Sequence, residues 1–310
     1  MPFISVVIPV YNKQKYIKDS IQSVLNQNFD DFEIIIIDDG STDHSVEILE
    51  TLTDSKINLY KQSNHGVSYT RNKGVQLSSG KLIAFLDADD YWYPDHLQKI
   101  VKLYHQYPEA HFFATAYEVE YPGGLIKKFR LYHEPKSKLF SKFYQYIKGS
   151  PIFYTSNFAI KKDVYIKEKG FKENIHGEDT EFFYRLGYQY LLAYDSSITL
   201  RYKNQSENSL FAHYETDRKV LLLKELKEFE QKDKELKRIL DLNRFAWVME
   251  YKVLKKNGQA KELMKQISIE NMNFFQRILL KTPGKILKIL KRIQQFLIQN
   301  KIYLTPFEKS

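Results

Sequence analysis

The sequence predicts a doubly wound, mostly parallel α/β sheet flanked by helices, with a helical appendage behind it. Three observations carry that expectation. The first 110 residues alternate strand-like and helix-like signals. Two of the strand-like runs stop at acids: Glu33-Ile34-Ile35-Ile36-Ile37-Asp38-Asp39 and Lys81-Leu82-Ile83-Ala84-Phe85-Leu86-Asp87-Ala88-Asp89-Asp90. From about Thr216 the signal is nearly all helical and rich in Lys, Leu and Glu.

The elements follow in order. Ile4–Val10 is an apolar strand stopped by Pro9, and Tyr16–Gln27 carries Ile17, Ile21, Val24 and Leu25 at helical spacing. Ile34–Ile37 is apolar on both faces, as inside a parallel sheet. Ser41-Thr42-Asp43 offers capping side chains before Val46, Leu49 and Leu52. Ile57–Tyr60 is a short strand, Val67–Leu77 a helix, and Leu82–Leu86 the next central strand. Pro94 and Asp95 open a helix with Leu97, Ile100, Val101 and Tyr104. Beyond Ala110, His111–Tyr121 and Leu125–Tyr132 flank Pro122-Gly123-Gly124 as a hairpin. A helix is expected near Lys138–Lys148, a strand at Ser156–Ile160, and helices at Asp163–Lys169 and Glu178–Leu186. Two short strands are expected at Tyr190–Tyr194 and Ile198–Tyr202.

Composition narrows the function classes. The chain has 310 residues, 43% hydrophobic and 15% aromatic, which is enough for a substantial core and argues against disorder. No cysteine is present, so disulfides, thiolate nucleophiles and Cys-held metals are excluded. The start of the chain runs into a strand without a secretory pattern, and no apolar run reaches the ~18 residues of a membrane span. The expected location is cytoplasmic, peripheral on the inner face of the cell membrane. Residues 216–310 hold 22 basic and 11 acidic side chains, whereas the first 215 hold 25 and 27. The net charge of +9 therefore belongs to the C-terminal part. The expected division is 1–215, a catalytic domain, and 216–310, a basic helical region.

In an open α/β sheet, ligands bind at the carboxyl ends of the strands, and both acidic doublets fall there. Four or five carboxylates at one edge repel unless a cation or a hydrogen-bonding ligand is present. The set suits a divalent ion holding a phosphorylated ligand.

Five motifs occur in sequence: Ser5-Val6-Val7-Ile8-Pro9-Val10-Tyr11-Asn12; Asp38-Asp39-Gly40-Ser41-Thr42-Asp43; Asn64-His65-Gly66 with Arg71-Asn72-Lys73-Gly74; Asp87-Ala88-Asp89-Asp90; and Gly177-Glu178-Asp179. Each is weak alone. Together, over roughly 1–215, the chain resembles a family 2 nucleotide-sugar glycosyltransferase of the GT-A fold. The resemblance implies a UDP-sugar donor, Mn²⁺ or Mg²⁺, and an inverting transfer to a glycan or lipid-linked glycan in cell-surface polysaccharide assembly. Single-sugar transfer is expected, because no Gln-x-x-Arg-Trp pattern follows Glu178-Asp179.

Residue by residue, Pro9 and Tyr11 begin the nucleotide pocket, with Tyr11 either beside the base or in the core. Asn12 is either a pocket residue or a strand-to-helix turn. Asp39 resembles the family's acceptor for a uracil imide N–H, and Asp38 organises the turn; helix capping is the plainer alternative for both. Asp43 reads as a cap. The resemblance turns Arg71 toward the nucleotide, against a solvated helix face. Asp87, Ala88 and Asp89 form the DxD-type segment, whose alternation puts the two acids on one side; Asp87 and Ala88 meet the nucleotide-sugar and Asp89 holds the metal. Asp179 is the candidate general base and Glu178 its partner or the acceptor's, against acids in a helix's first turn. His213 is a candidate further metal ligand or phosphate contact, against a structural or solvated histidine. Arg201-Tyr202-Lys203-Asn204 stands where many relatives carry a basic residue and a histidine.

Phe274–Lys301 holds seven basic residues and no acid. After Pro283-Gly284, Ile286, Leu287, Leu290, Ile293 and Leu297 form an apolar stripe with Lys285, Lys288, Lys291 and Arg292 mostly beside or opposite it. This basic amphipathic helix suits an anionic bilayer surface or packing on the protein. Nucleic acid is not an expected partner, as no reader motif is present. Two rivals remain. A sugar nucleotidyltransferase needs a Gly-rich, Arg-containing loop after the first strand, where this chain has Pro9-Val10-Tyr11-Asn12-Lys13-Gln14. A non-catalytic nucleotide-sugar scaffold has no use for both Asp89 and Asp179.

Overall fold

The structure, a computed structural model, describes residues 1–131, 136–147, 151–204, 218–300 and 302. The chain forms two compact units. The first comprises Met1–Glu120, Ile126–Phe143 and Ile152–Leu222; the second comprises Tyr121–Leu125, Tyr144–Pro151 and Leu223–Ser310.

The first unit is built on strands β1 (Ile4–Val10), β2 (Phe32–Asp39), β3 (Ile57–Gln62), β4 (Leu82–Phe85), β5 (Tyr91–Trp92), β6 (Phe112–Tyr121), β7 (Leu125–Phe129), β8 (Ser137–Ser141), β9 (Phe158–Lys161) and β10 (Leu191–Lys203). They make one ten-stranded sheet in the order β3-β2-β1-β4-β9-β6-β10-β5, with β7 on β6 and β8 on β10. Helices α1 (Ile17–Leu25), α2 (Ser45–Glu50), α3 (Val67–Leu77), α4 (His96–Gln106), α5 (Lys162–Lys167) and α6 (Glu178–Gln189) flank it. The β3-β2-β1-β4 half is parallel throughout, with Val7 paired to both Ile35 and Phe85. That register brings the carboxyl ends of β1, β2 and β4 to one edge. Pro9 costs the ladder nothing, because the β1–β4 pairing ends at Val7–Phe85. Beyond β4, β9 runs antiparallel to both β4 and β6, and β10 is parallel to β6.

Burial follows the sequence pattern. Ile4, Val6, Val7, Ile8, Ile34, Ile36, Ile37, Leu82, Ile83, Ala84 and Phe85 are fully buried, as both faces of a central parallel sheet require. Helix α3 lies so close to β1 that a Cβ added to Gly74 would stand 2.3 Å from Val7 Cγ1. Overpacking of this kind costs about 1–3 kcal/mol and exceeds the helix-propensity gain. Gly74→Ala is therefore expected to lower the melting temperature, whereas Gly258→Ala, with open space around its Cβ, should raise it slightly. Equal effects in thermal melts would contradict the close approach.

Two expected elements differ. The helix near 138–148 is instead strand β8 followed by a short 3₁₀ turn, Phe143–Tyr146. Ser137–Ser141 pairs antiparallel with Asp195–Leu191, so a neighbouring strand rather than helical periodicity decides its conformation. The two short strands expected at 190–202 are one 13-residue strand, β10. Its register against β6 shifts between Asp195 and Ile198 and again before Leu200. These bulges absorb the polar run, and Asp195 Oδ1 accepts from the Ser197 amide at 2.7 Å.

In the second unit, α8 (Lys227–Lys232), α9 (Lys234–Val253), α10 (Asn257–Met264), α11 (Phe274–Lys281) and α12 (Gly284–Gln299) follow α7 (Arg218–Glu225). Asp233 caps α9, accepting from Glu235 and Leu236 amides. Arg244 grips Glu230 with two N–H groups (2.6 and 2.8 Å) and also donates to buried Asp241 (3.0 Å). Among the described residues, no helix is long and apolar enough to cross a membrane.

Candidate active site

The site lies at the carboxyl edge of β1, β2 and β4, and it begins with two interlocked loops. After β1, Tyr11 is 44% exposed, so it stands at the rim and not in the core. Asn12 adopts a left-handed conformation (φ 53°), which asparagine tolerates. Its amide donates to Ser41 Oγ at 3.0 Å and its side-chain oxygen accepts from the Thr42 amide at 2.8 Å. Asn12 is thus the turn that ties the first loop to the second. Asp43 accepts from the Ser45 amide and hydroxyl and from the Gln14 amide. Burial opposes its charge, but these donors outweigh that and hold its carboxyl below the usual range. It braces the turn into α2 from the residue before the N-cap, His44, and is not itself the cap.

Asp38 Oδ2 accepts from the Gly40 and Ser41 amides, both at 3.2 Å, which makes it the turn organiser. Asp39 is buried. Its two oxygens accept from Gln62 Nε2 (2.8 Å), the His65 amide (2.9 Å) and the Gly66 amide (2.8 Å), where α3 begins. A carboxylate has about four acceptor positions. Asp39 therefore anchors the 63–66 loop with room for one further donor.

The β4 end is held from below. Ser20, on the buried face of α1, donates to the Ala88 and Asp90 carbonyls at 3.0 and 2.6 Å. The Asp87 amide donates to Ser156 Oγ (3.0 Å). Asp90 is buried, and burial together with Asp89 and Asp87 pushes its carboxyl well above the ordinary range. Asp89 is partly exposed and ion-paired with Lys13 of the β1 loop.

Arg71 joins the two distant acidic motifs. Its side chain is 5% exposed, so it does not belong to a solvated helix face. Nη2 lies 2.6 Å from Asp87 Oδ1 and Nη1 3.1 Å from Glu178 Oε1. Its guanidinium also stands 5.2 Å from the Phe171 ring. Burial alone would disfavour the charge; Asp87, then Glu178, outweigh it and keep Arg71 protonated.

Helix α6 opens on Gly177, whose left-handed conformation (φ 85°, ψ 38°) turns the chain so that Glu178 and Asp179 start the helix. Asp179 Oδ1 accepts from the Thr180 amide (2.6 Å) and hydroxyl (3.2 Å). Glu181 is a structural acid, buried and paired with Arg185 at 2.7 Å. Burial first, then the Asp179 charge, push the Glu178 carboxyl up to about 7 against the pull of Arg71. A carboxyl raised on folding stabilises the fold below its unfolded value near 4.5 and loses that contribution as pH rises through 7. Wild-type stability relative to Glu178→Gln is therefore expected to be highest near pH 5 and to fall toward pH 8. A flat difference across melts at those pH values would contradict it.

The sequence-derived candidates Pro9, Tyr11, Asp39, Arg71, Asp87, Ala88, Asp89, Glu178 and Asp179 all fall in the first unit. Direct contacts join Arg71 to Asp87 and Glu178. His213 lies outside the described residues. Lys13 was not anticipated; the one signal for it is its place in the loop after β1, directly behind Asn12. Arg201 is committed elsewhere, to Glu118 (2.9 Å) and the Tyr93 hydroxyl (2.7 Å). The Lys203 amide meets Asp90 Oδ1 at 3.4 Å.

Among the described residues, no group of three or more His, Cys, Asp or Glu side chains is placed to hold a metal ion. Asp87 is held by Arg71 and Asp89 by Lys13, and both carboxylates remain partly exposed. This donor set fits a hard cation that draws most of its oxygens from a bound diphosphate and water, and does not fit an all-protein cage.

A mixed, mostly parallel sheet with acids along one edge and helices on both sides defines a GT-A type fold. In keeping with that, S. aureus TarS 1–349 in complex with UDP-GlcNAc superposes with a TM-score of 0.70 at 16% identity, covering 98% of this chain and 93% of that one. TarS 1–349 with UDP gives 0.55 at 16% identity, covering 94% and 92%. The model of Glycosyl transferase family 2 matches residues 5–168, over half of the chain, and the protein belongs to that family. An uncharacterized glycosyltransferase of Haemophilus influenzae is 42% identical over 102 residues, 32% of this chain and 41% of the relative. A putative teichuronic acid biosynthesis glycosyltransferase of Bacillus subtilis, TuaG, is 42% identical over 101 residues, 32% and 40%. The chain thus matches about two fifths of the length of these relatives.

Proposed function

We propose that the protein is an inverting glycosyltransferase that moves one hexosyl or N-acetylhexosaminyl unit from a UDP-sugar to a hydroxyl of a glycan or lipid-linked glycan. The observation that carries this reading is Arg71, which holds Asp87 at the end of β4 and Glu178 at the start of α6 within one buried ion cluster. The cluster joins the acids at the end of β4 to those at the start of α6, which supports reading them as two sides of one site. The UDP and UDP-GlcNAc bound by TarS and the teichuronic acid biosynthesis named in the description of TuaG support the donor class and the polysaccharide setting.

In this reading Pro9, Tyr11 and Asp39 border the base, Asp87 and the Ala88 backbone border the ribose, and Lys13 turns from Asp89 to the diphosphate. Mn²⁺ or Mg²⁺ held by Asp89 and the donor's phosphates would neutralise the leaving diphosphate. Asp179 takes the acceptor's proton as its oxygen attacks the anomeric carbon from the face opposite the nucleotide. The test is a panel of nucleotide sugars assayed for product with Mn²⁺ and Mg²⁺ and for thermal stabilisation of the protein. Acceptor-dependent release of UDP supports the reading. Pyrophosphate release, or no stabilisation by any UDP-sugar, overturns it.

A further inference from the structure

The C-terminal helices turn their apolar residues outward. On α11, Leu280 and Gln276 are buried, while Phe274 and Phe275 are 71% and 68% exposed and Ile278 is also exposed. On α12 only Leu287 is buried. Ile286, Ile289, Leu290, Ile293 and Phe296 are all exposed. At about 100° per residue they share an arc of roughly 120°. Both helices rest on α9. Lys252 of α9 donates to the Leu280 carbonyl and, at 3.2 Å, to the Thr282 carbonyl, which fixes the corner between them. A Cβ on Gly284 would stand 2.1 Å from the Lys252 carbonyl oxygen, so α12 approaches α9 closely at its start. The stripe that the sequence could equally have packed on the protein is therefore on the outside except at buried Leu287 and half-buried Leu297.

The charge beside this stripe is of one sign. Lys285 and Arg292 border the apolar arc, and Lys288 and Lys291 lie further round the helix. None of the four has an ion-pair partner among the described residues. With Arg277, Lys281 and Lys301, the segment from Phe274 to Lys301 carries seven basic residues and no acid. A second copy of this surface would bring like charges together. A soluble acidic partner would answer the lysines but leave the paired phenylalanines and the isoleucine row without a solvent. An anionic bilayer answers both, since apolar side chains enter the headgroup boundary while lysine and arginine meet lipid phosphate.

We infer that α11 and α12 form an interfacial docking surface for an anionic lipid membrane. The surface lies outside the residues assigned to sugar transfer and stands or falls separately from that reading. The experiment is flotation of the full chain with vesicles of phosphatidylglycerol and phosphatidylcholine, against phosphatidylcholine alone. The protein is expected to float with the anionic vesicles and not the neutral ones, and to be released as salt rises. Lys288→Glu combined with Lys291→Glu should lower partitioning at least about tenfold. Phe274→Ser combined with Phe275→Ser should also lower it, with the melting temperature held. No flotation with anionic vesicles, equal flotation with neutral ones, or salt-insensitive binding of the wild type overturns the inference. So does a concentration-dependent dimer in light scattering that the Phe274/Phe275 variant dissolves while vesicles leave the protein unbound.

Discussion

Arg71→Ala is expected to destabilise the first unit by about 3–5 kcal/mol at pH 8, the range for removing one partner of a buried ion pair. Two carboxylates lose their counter-charge at once. Asp87 Oδ1 sits 2.6 Å from Nη2 and Glu178 Oε1 3.1 Å from Nη1. The penalty should depend on pH. Glu178 is already pushed up to about 7 with Arg71 present, and Arg71 is the group pulling it down. Without the guanidinium, Glu178 rises further and takes a proton, which removes one of the two stranded charges. The variant should therefore lose less stability at pH 6 than at pH 8, as urea midpoints at the two values would report. Arg71→Lys should recover only part, because an ammonium cannot reach two carboxylates in the planar fork that a guanidinium offers. A variant as stable as wild type at pH 8 would mean that the cluster is not the link between the two motifs.

That link is also what the sequence could not display. Arg71 and Glu178 are 107 positions apart, and nothing local to either residue names the other. What was legible was whatever a single strand or helix writes in its own period. The runs Ile4–Val10, Ile34–Ile37 and Leu82–Leu86 are apolar on both faces, so their place in the sheet and the acids at their ends followed directly. Val67–Leu77 matched as the helix that opens after Gly66. Residues 137–141 were misread because four or five residues do not separate a period of 2 from one of 3.6. Their strand state comes from β10, more than fifty positions later. The same limit hid Lys13: its partner Asp89 is 76 positions away. Asp39 was legible as a strand-end acid, yet its amide donors come from a loop 26 positions on.

Asp179→Asn is expected to cut kcat by about 10²–10⁴, the usual worth of a positioned general base, while the KM for the donor changes by less than about twofold. The geometry makes this substitution clean. Oδ1 is the oxygen held by the Thr180 amide and hydroxyl, and an asparagine carbonyl can keep both bonds. The amide nitrogen then replaces the other oxygen, the one left to take a proton, so position survives and basicity does not. The start of α6 favours a negative charge at Asp179 through the exposed amides of its first turn. Glu178, one residue earlier, is held back from ionising by that same charge. Glu178 is paired with Arg71, whereas the second oxygen of Asp179 is the one the proposed base role requires. The assignment makes a second demand on the pH profile. In wild type, Glu178, pushed up to about 7, should impose a limb on the pH profile of kcat/KM, and Glu178→Gln should remove that limb. An Asp179→Asn enzyme that turned over donor at the wild-type rate would transfer the base role to another side chain. One that lost donor binding in parallel would make Asp179 a binding residue instead.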